Sequence, residues 1–252
     1  MFHVKHPEAN PENIGRETRA LVERWVAKYP VDALDPLFPQ RIEKLAAAIA
    51  LWGSRMNLTA EPSDPAELAF HLFDSLAPLT LAAGVRGSML SGLFAQEARV
   101  LDLGAGAGFP GLVLAAASPA QFVLAEARRK RASFLTVTAG EMGLRNVEVE
   151  AAQLAPETVR SVDRFTDHDG FDVVVARAFA RPAEFHRMAA AALKPGGMAM
   201  LYANPGQELA VDSARSPEMG EVEELAYSVT RGARNVERIL AVWRKGGAPE
   251  SS

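Results

Sequence analysis

The chain of 252 residues contains no cysteine. That excludes disulfides, thiolate metal sites and cysteine nucleophiles, and it is compatible with a cytosolic protein. No apolar run approaches the roughly 20 residues needed to span a bilayer. The polar stretch Met1–Asn13 lacks the apolar core of a signal peptide. The expectation is a cytoplasmic protein without a membrane partner. Familiar catalytic patterns are scarce too. The 5 histidines lack ligand spacing, no HExxH occurs, and no Ser-His-Asp or paired-carboxylate constellation stands out, so no metal is expected. A formal net charge of -4 is not the footprint of a nucleic-acid binder, which leaves any such contact to local basic patches. No heptad pattern is present, and a monomer is the default expectation.

What is present is ordinary for a globular protein: 48% hydrophobic and 23% charged residues, enough for a sizeable core. The length fits one large domain, or a compact domain with a helical extension. Residues 1–15 read as irregular, punctuated by Pro7, Pro11 and Gly15. Two helical patterns follow. The clearer one, from about Pro39 to Met56, carries Ile42, Leu45, Ile49, Trp52 and Met56 at helical spacing, and this places Trp52 in the core. A third helix is expected from Pro65 to Ala83, with Leu68, Leu72, Leu76 and Leu79 on one face and proline in its first turn. Gly84 to Gly92 reads as a loop.

From residue 98 short β-prone runs alternate with helical stretches. The runs are Val100–Leu103, Phe122–Glu126, Val147–Glu150, Phe171–Ala176 and Met198–Ala203. The helices fall at about 110–117, 129–142 and 182–193. Such alternation predicts βαβ units and a mostly parallel sheet covered on both faces. Residues 204–220 read as a loop, and Val222–Val229 and Arg238–Trp243 as closing strands. The division expected is a helical extension over 1–97, packed on an α/β core over 98–245, and a disordered tail over 246–252.

The strongest local signal is the strand Val100-Leu101-Asp102-Leu103 running into Gly104, Gly106 and Gly108, with Pro110 where a helix would begin. Glycines let a backbone approach a ligand closely, and the first βα turn of an open parallel sheet lies at the ligand crevice. The dinucleotide pattern G-x-G-x-x-G fails when counted from Gly104, because its third glycine falls on Phe109. Counted from Gly106 the letters match through Gly108 and Gly111, but too far past the strand. The acid-x-Gly-x-Gly-x-Gly loop of S-adenosylmethionine-dependent methyltransferases fits Asp102 to Gly108 without a gap. Glu126, at the end of the next strand, can accept hydrogen bonds from both ribose hydroxyls of a nucleoside. Gly170–Val175 looks like the fourth strand of class I methyltransferases. The turn Leu193-Lys194-Pro195-Gly196-Gly197 is common in the same fold, and its glycines are expected to have no ligand contact.

Together these residues resemble the bacterial 16S ribosomal RNA guanine(527)-N7 methyltransferases, also called the glucose-inhibited division protein B family. The resemblance covers most of the chain. It runs through Asn57-Leu58-Thr59, His71-Leu72-Phe73-Asp74-Ser75-Leu76, the loop from Asp102 to Phe109-Pro110-Gly111, Lys130-Arg131 with Phe134-Leu135, Arg177-Ala178-Phe179-Ala180 and Glu237-Arg238. The opening Phe2-His3-Val4-Lys5-His6 is similar as well. It implies a Rossmann-type class I methyltransferase fold with an N-terminal helical extension. It also implies S-adenosylmethionine as cofactor and 16S rRNA in the small ribosomal subunit as partner. The cofactor set it implies is Asp102, Gly104, Gly106, Gly108, Phe109 and Glu126, with Leu154 and Ala155 flanking the adenine. Arg177 is implied beside the cofactor and the incoming base, as the catalytic residue. His71 and Asp74, three apart on a helix, can share one side. Their reading stays open between a local polar pair and direct function. Arg128 and Arg129 read as a solvated helix start.

Two departures stand out. Gln153-Leu154-Ala155 replaces the family's arginine, small apolar residue and glutamate, removing a side-chain acceptor near the adenine. Asn204-Pro205-Gly206 replaces its Lys-Gly, removing a cation near the substrate mouth. Two alternatives remain: a nucleotide-dependent oxidoreductase, and a non-catalytic RNA- or ligand-binding protein on the same fold.

Overall fold

A computed structural model describes residues 10–28, 31, 34–82, 85–159, 170–178, 181–209, 211 and 216–247. The segment Phe2–His6, the pair Phe179-Ala180 and the end of the tail from residue 248 lie outside the described residues. The helices are α1 (Pro11–Lys28), α2 (Phe38–Met56), α3 (Pro65–Ser75), α4 (Ala77–Ala82), α5 (Gly111–Ala117), α6 (Arg129–Met142) and α7 (Pro182–Ala192). The strands are β1 (Arg99–Leu103), β2 (Gln121–Ala125), β3 (Val147–Glu150), β4 (Phe171–Arg177), β5 (Leu193–Ala203), β6 (Glu223–Arg231) and β7 (Arg234–Arg244).

One sheet joins all seven strands in the order β3-β2-β1-β4-β5-β7-β6. The first five run parallel, and β7 pairs antiparallel with both β5 and β6. The expected α/β, mostly parallel arrangement is present. Period-two alternation sorts the side chains between two faces. Val100, Phe122, Leu124, Val173, Val175, Met198 and Met200 share a cluster with α1–α3, α5 and α6. Leu101, Leu103, Val123, Val174, Ala176, Ala199 and Leu201 pack with Phe185, Met188 and Ala189 of α7. The N-terminal helices thus share one hydrophobic core with the sheet. Helix α2 lies antiparallel along α6: Lys44 Nζ donates to the Glu141 carbonyl at 2.6 Å, and Arg131 Nη2 to the Asn57 carbonyl at 2.5 Å.

Several elements differ from the sequence expectation. Helix α1 begins at Pro11, inside the stretch read as irregular. There proline occupies the first turn, where its missing N–H is harmless, and the Asn10 side chain accepts from the Glu12 N–H at 2.9 Å. The single helix expected over Pro65–Ala83 is split at Leu76. Pro78 has no N–H to offer the Asp74 carbonyl, so the α-helical ladder is interrupted. Val85–Leu90 forms a 3₁₀ helix where a loop was expected. Leu193 and Gly197 lie within β5, but the register jumps from Phe171↔Leu193 to Val173↔Met198, so residues 194–197 bulge out of the ladder. The closing strands are longer than expected. Trp52 is 38% exposed rather than buried, and the Arg55 guanidinium lies 5.8 Å from its ring centroid. The returning chain packs Pro62 against Gly53 instead.

The turn after β1 is tightly built. Gly104 and Ala105 both donate their N–H to the Ala125 carbonyl, at 2.9 and 3.1 Å. A Cβ on Gly111 would lie 2.4 Å from Asp102 Oδ2 and 2.3 Å from Leu124 Cδ2. Gly111→Ala is expected to destabilise the fold by about 1–3 kcal/mol through overpacking. Urea denaturation measures this, and an unchanged midpoint would refute the tight packing.

Candidate functional site

Parallel strands present their C-terminal ends at one edge of the sheet, and the sequence-predicted residues gather there. Gly104, Gly106 and Gly108 adopt φ of 77°, 55° and 91°, a region that glycine enters freely. A Cβ on Gly106 would find nothing closer than the Gly104 carbonyl at 3.7 Å, so this part of the loop faces open space. At Gly108 a Cβ would strike Leu112 at 2.6 Å, which makes that glycine a packing requirement.

The two acids play different parts. Asp102 is fully buried and its Oδ2 accepts the Gly111 N–H at 2.8 Å, joining the strand end to the start of α5. It acts behind the loop. Burial raises its carboxyl to about 7, opposed by the Gly111 hydrogen bond and reinforced by the Glu126 charge. Because the folded value lies above the unfolded one, the stabilising protonated form is fully present below about pH 4 and is lost as pH rises towards 7. Over that window wild-type stability should fall relative to Asp102→Asn. Chemical denaturation of both proteins across that range tests this, and a parallel pH dependence would contradict it.

Glu126, 6% exposed, faces the loop instead. Its Oε2 accepts the Gly106 N–H at 3.1 Å and its Oε1 the Arg128 N–H at 2.8 Å. A carboxylate offers about four lone-pair sites, so two remain for a ligand's hydroxyls.

Helix α3 supplies the opposite wall. Asp64 caps it, accepting from the Ala66 N–H at 2.8 Å, and Pro65 opens its first turn. His71 and Asp74 then project towards the sheet. Asp74 has no exposed surface and is a hub. Its carboxylate meets Arg177 Nε at 3.2 Å and Arg238 Nε at 3.1 Å, and accepts the Tyr227 hydroxyl at 2.7 Å. Arg177 also donates from Nη1 to the His71 carbonyl at 3.3 Å, while its Nη2 meets His71 Nδ1. Burial, then the Arg177 charge, lowers His71 to about 3. His71 is therefore neutral, accepting at Nδ1. Burial also pulls Arg177 below its ordinary value, with Asp74 opposing. The Phe109 ring lies beside both groups, its centroid 5.2 Å from that of His71 and 5.6 Å from the Arg177 guanidinium carbon.

A cleft of about 380 Å³ opens between the glycine loop and the N-terminal helices. Its walls include Thr59, His71, Gly104, Gly106, Phe109, Arg131 and Arg177. Leu154 and Ala155 are half-buried in the turn after β3 and are not among its lining residues. The Ala155 carbonyl is engaged by the Thr158 and Val159 N–H groups. Gly196 sits near the start of β5, at the opposite edge of the sheet. Arg128, Arg129 and Lys130 are exposed. Asn204 uses its Oδ1 to accept from Arg238 Nη1, so the departure there ties into the Asp74 hub. Among the described residues no cluster of three or more metal-ligating side chains exists, and no helix is long and apolar enough to cross a membrane.

Sequence reasoning named Arg238 by resemblance but not its partner, and it missed Tyr227 altogether. The available signal was a charge inside an apolar helix, Asp74, and another opening an apolar strand, Arg238. Such charges must find each other or remain uncompensated.

An open sheet of this order, with a glycine turn after its first strand and a buried acid ending its second, defines a class I methyltransferase. The chain belongs to the GidB family, rRNA small subunit methyltransferase G, whose model matches residues 39–236. It is 35% identical over 215 residues to "Ribosomal RNA small subunit methyltransferase G" of Cupriavidus pinatubonensis, covering 82% of this chain and 87% of that protein. The Nitrosospira multiformis protein of the same name is 33% identical over 217 residues, covering 82% and 88%. Among solved structures, a SAM-dependent O-methyltransferase from Thermotoga maritima matches with TM-score 0.48 and 15% identity, covering 71% of this chain and 66% of that one.

Proposed function

We propose that this protein transfers a methyl group from S-adenosylmethionine to N7 of a guanine of the position-527 type in 16S rRNA of the small ribosomal subunit. We also propose that it acts as a cytoplasmic monomer. The observation that carries the reading is the meeting of the open Gly104–Gly106 loop and Arg177 at one cleft, with Glu126 bonded to the Gly106 N–H beside it, in a member of this family. The relatives' names support ribosomal RNA as the acceptor.

The residues fit a nucleoside methyl donor. Gly106 faces open space, and Glu126 keeps acceptor sites beyond its two backbone bonds. Gly104 and Gly106 would admit the cofactor, Phe109 would form one of its walls and Glu126 would take the ribose hydroxyls. Leu154 and Ala155 would flank the adenine with apolar atoms, since the Ala155 backbone is tied to Thr158 and Val159 and Gln153 is exposed. Asp102 and Gly108 would hold the loop's shape from behind. When bound, S-adenosylmethionine supplies a methyl group already activated on a sulfonium.

The chain's own part is alignment, worth about 7–11 kcal/mol when reacting groups are held in place. Guanine N7 carries a free lone pair, so no side chain has to remove a proton. That agrees with His71, which is neutral and committed to Arg177 rather than poised as a base. Arg177 would orient the base or the cofactor from a position fixed by Asp74. Arg177→Lys keeps a charge beside Asp74 but loses the planar fork. It is expected to lower methyl transfer about tenfold to a hundredfold, the worth of one charged hydrogen bond. Unchanged turnover on small subunits would remove Arg177 from this role.

The cofactor assignment is tested by calorimetry. S-adenosylhomocysteine should bind and NAD should not. The reverse would favour the oxidoreductase reading. Tight binding without methyl transfer to RNA would favour a non-catalytic protein.

A further inference from the structure

Two buried donors on the cleft are not used by the roles assigned above. Thr59 Oγ1 and Arg131 Nε are both buried without a hydrogen-bond partner, and both residues line the cleft beside the glycine loop. Leaving a buried donor unmet costs about 1–3 kcal/mol, and more for a charged one. The local fold holds them there. Asn57 ends α2 in the left-handed conformation, with φ 51° and ψ 52°, and this turns Leu58 and Thr59 towards the cleft. Arg131, in the first turn of α6, is anchored by Nη2 to the Asn57 carbonyl. That contact holds Arg131 against the chain two residues before Thr59, on the same wall.

Charge points the same way. Of the three arginines lining the cleft, Arg177 is matched by Asp74 and Arg231 by Glu67, the latter at 2.7 Å. Arg131 is held by a carbonyl, which leaves its charge uncancelled by that contact. Glu61 also lines the cleft, but it is exposed. A hydroxyl and a guanidinium N–H, both free to donate, suit an oxyanion.

We infer that Thr59 and Arg131 form an oxyanion subsite on this wall of the cleft. The proposal rests on the methyltransferase reading above. Within it two groups have this chemistry: the α-carboxylate of the cofactor's amino-acid arm, and a phosphate of the RNA.

Thr59→Val is the decisive variant, because it removes only a hydroxyl that makes no bond. Were Thr59 purely structural, the change would leave the protein equally or more stable and its binding untouched. Arg131→Met is the second variant, with its thermal melt recorded because it also removes the Asn57 contact. Calorimetry compares S-adenosylhomocysteine with 5′-methylthioadenosine, which lacks the amino-acid arm. Initial rates on undermethylated 30S subunits are taken at several salt concentrations.

If the carboxylate is the ligand, both variants bind S-adenosylhomocysteine about tenfold or more weakly while 5′-methylthioadenosine is unaffected. If a phosphate is the ligand, cofactor affinity is unchanged. KM for the subunits then rises, and its salt dependence flattens in Arg131→Met, one phosphate contact being lost. The proposal is overturned if Thr59→Val changes neither affinity nor KM, or if both small ligands weaken together. Failure of the wild-type protein to bind S-adenosylhomocysteine would instead overturn the methyltransferase reading itself.

Discussion

Replacing Asp74 by alanine is expected to destabilise the protein by about 3–5 kcal/mol, the penalty for breaking a buried ion pair by removing one partner. The effect is large because one carboxylate serves three groups. Arg177 comes from β4, Tyr227 from β6 and Arg238 from β7, while Asp74 itself sits on α3. Its loss leaves two guanidiniums facing each other with no counter-charge. With total stabilities of about 5–15 kcal/mol, such a change takes away a large share. Asp74→Asn should be milder, keeping an acceptor oxygen but not the charge. Tyr227→Phe removes one donor and leaves both ion pairs, for about 1 kcal/mol. Urea denaturation followed by circular dichroism ranks the three. An Asp74→Ala midpoint equal to wild type would show that the hub holds nothing together.

Glu126→Ala is the second large effect, and it concerns binding rather than folding. Glu126 clamps the glycine loop through the Gly106 N–H and, on the proposed function, accepts both ribose hydroxyls. Each hydrogen bond to a charged acceptor is worth about 1.5–3 kcal/mol, so losing two should weaken S-adenosylhomocysteine binding about a hundredfold or more. Glu126→Gln retains one acceptor oxygen and should fall between. Calorimetry gives both values. Wild-type affinity in a folded Glu126→Ala protein would dismiss the ribose role. In either protein Gly108 and Asp102 still shape the loop, so the fold should survive.

These two residues also mark how far the sequence could be read. Glu126 was legible because its position follows from local rules: a short apolar β-prone run, a glycine turn one unit earlier, and an acid at the next strand end. The same rules located β1 to β4, α5 and α6 to within a residue or two. Asp74 was visible only as half of a polar pair with His71. Its true partners lie 103, 153 and 164 residues away in sequence, on β4, β6 and β7, and no periodicity carries that information. Trp52 failed for a related reason. Helical spacing gives a side chain's direction but not what stands opposite it, and at that level the returning chain meets Gly53. Pro11 and Pro78 were misjudged in opposite senses. The first opens a helix and the second interrupts one, and proline permits either depending on whether the missing N–H has a carbonyl waiting. The Asn204 departure looked like a lost cation. In the fold it is an acceptor for Arg238, which supplies a cation close by.

The central claim is that this cleft methylates a guanine N7 of small-subunit ribosomal RNA. Its most direct test is transfer of labelled methyl from S-adenosylmethionine to undermethylated 30S subunits, followed by mapping of the modified base. Label is expected on one guanine, at N7, with transfer strongly reduced in Arg177→Lys. Label on another base or on protein, or none despite cofactor binding, would contradict it.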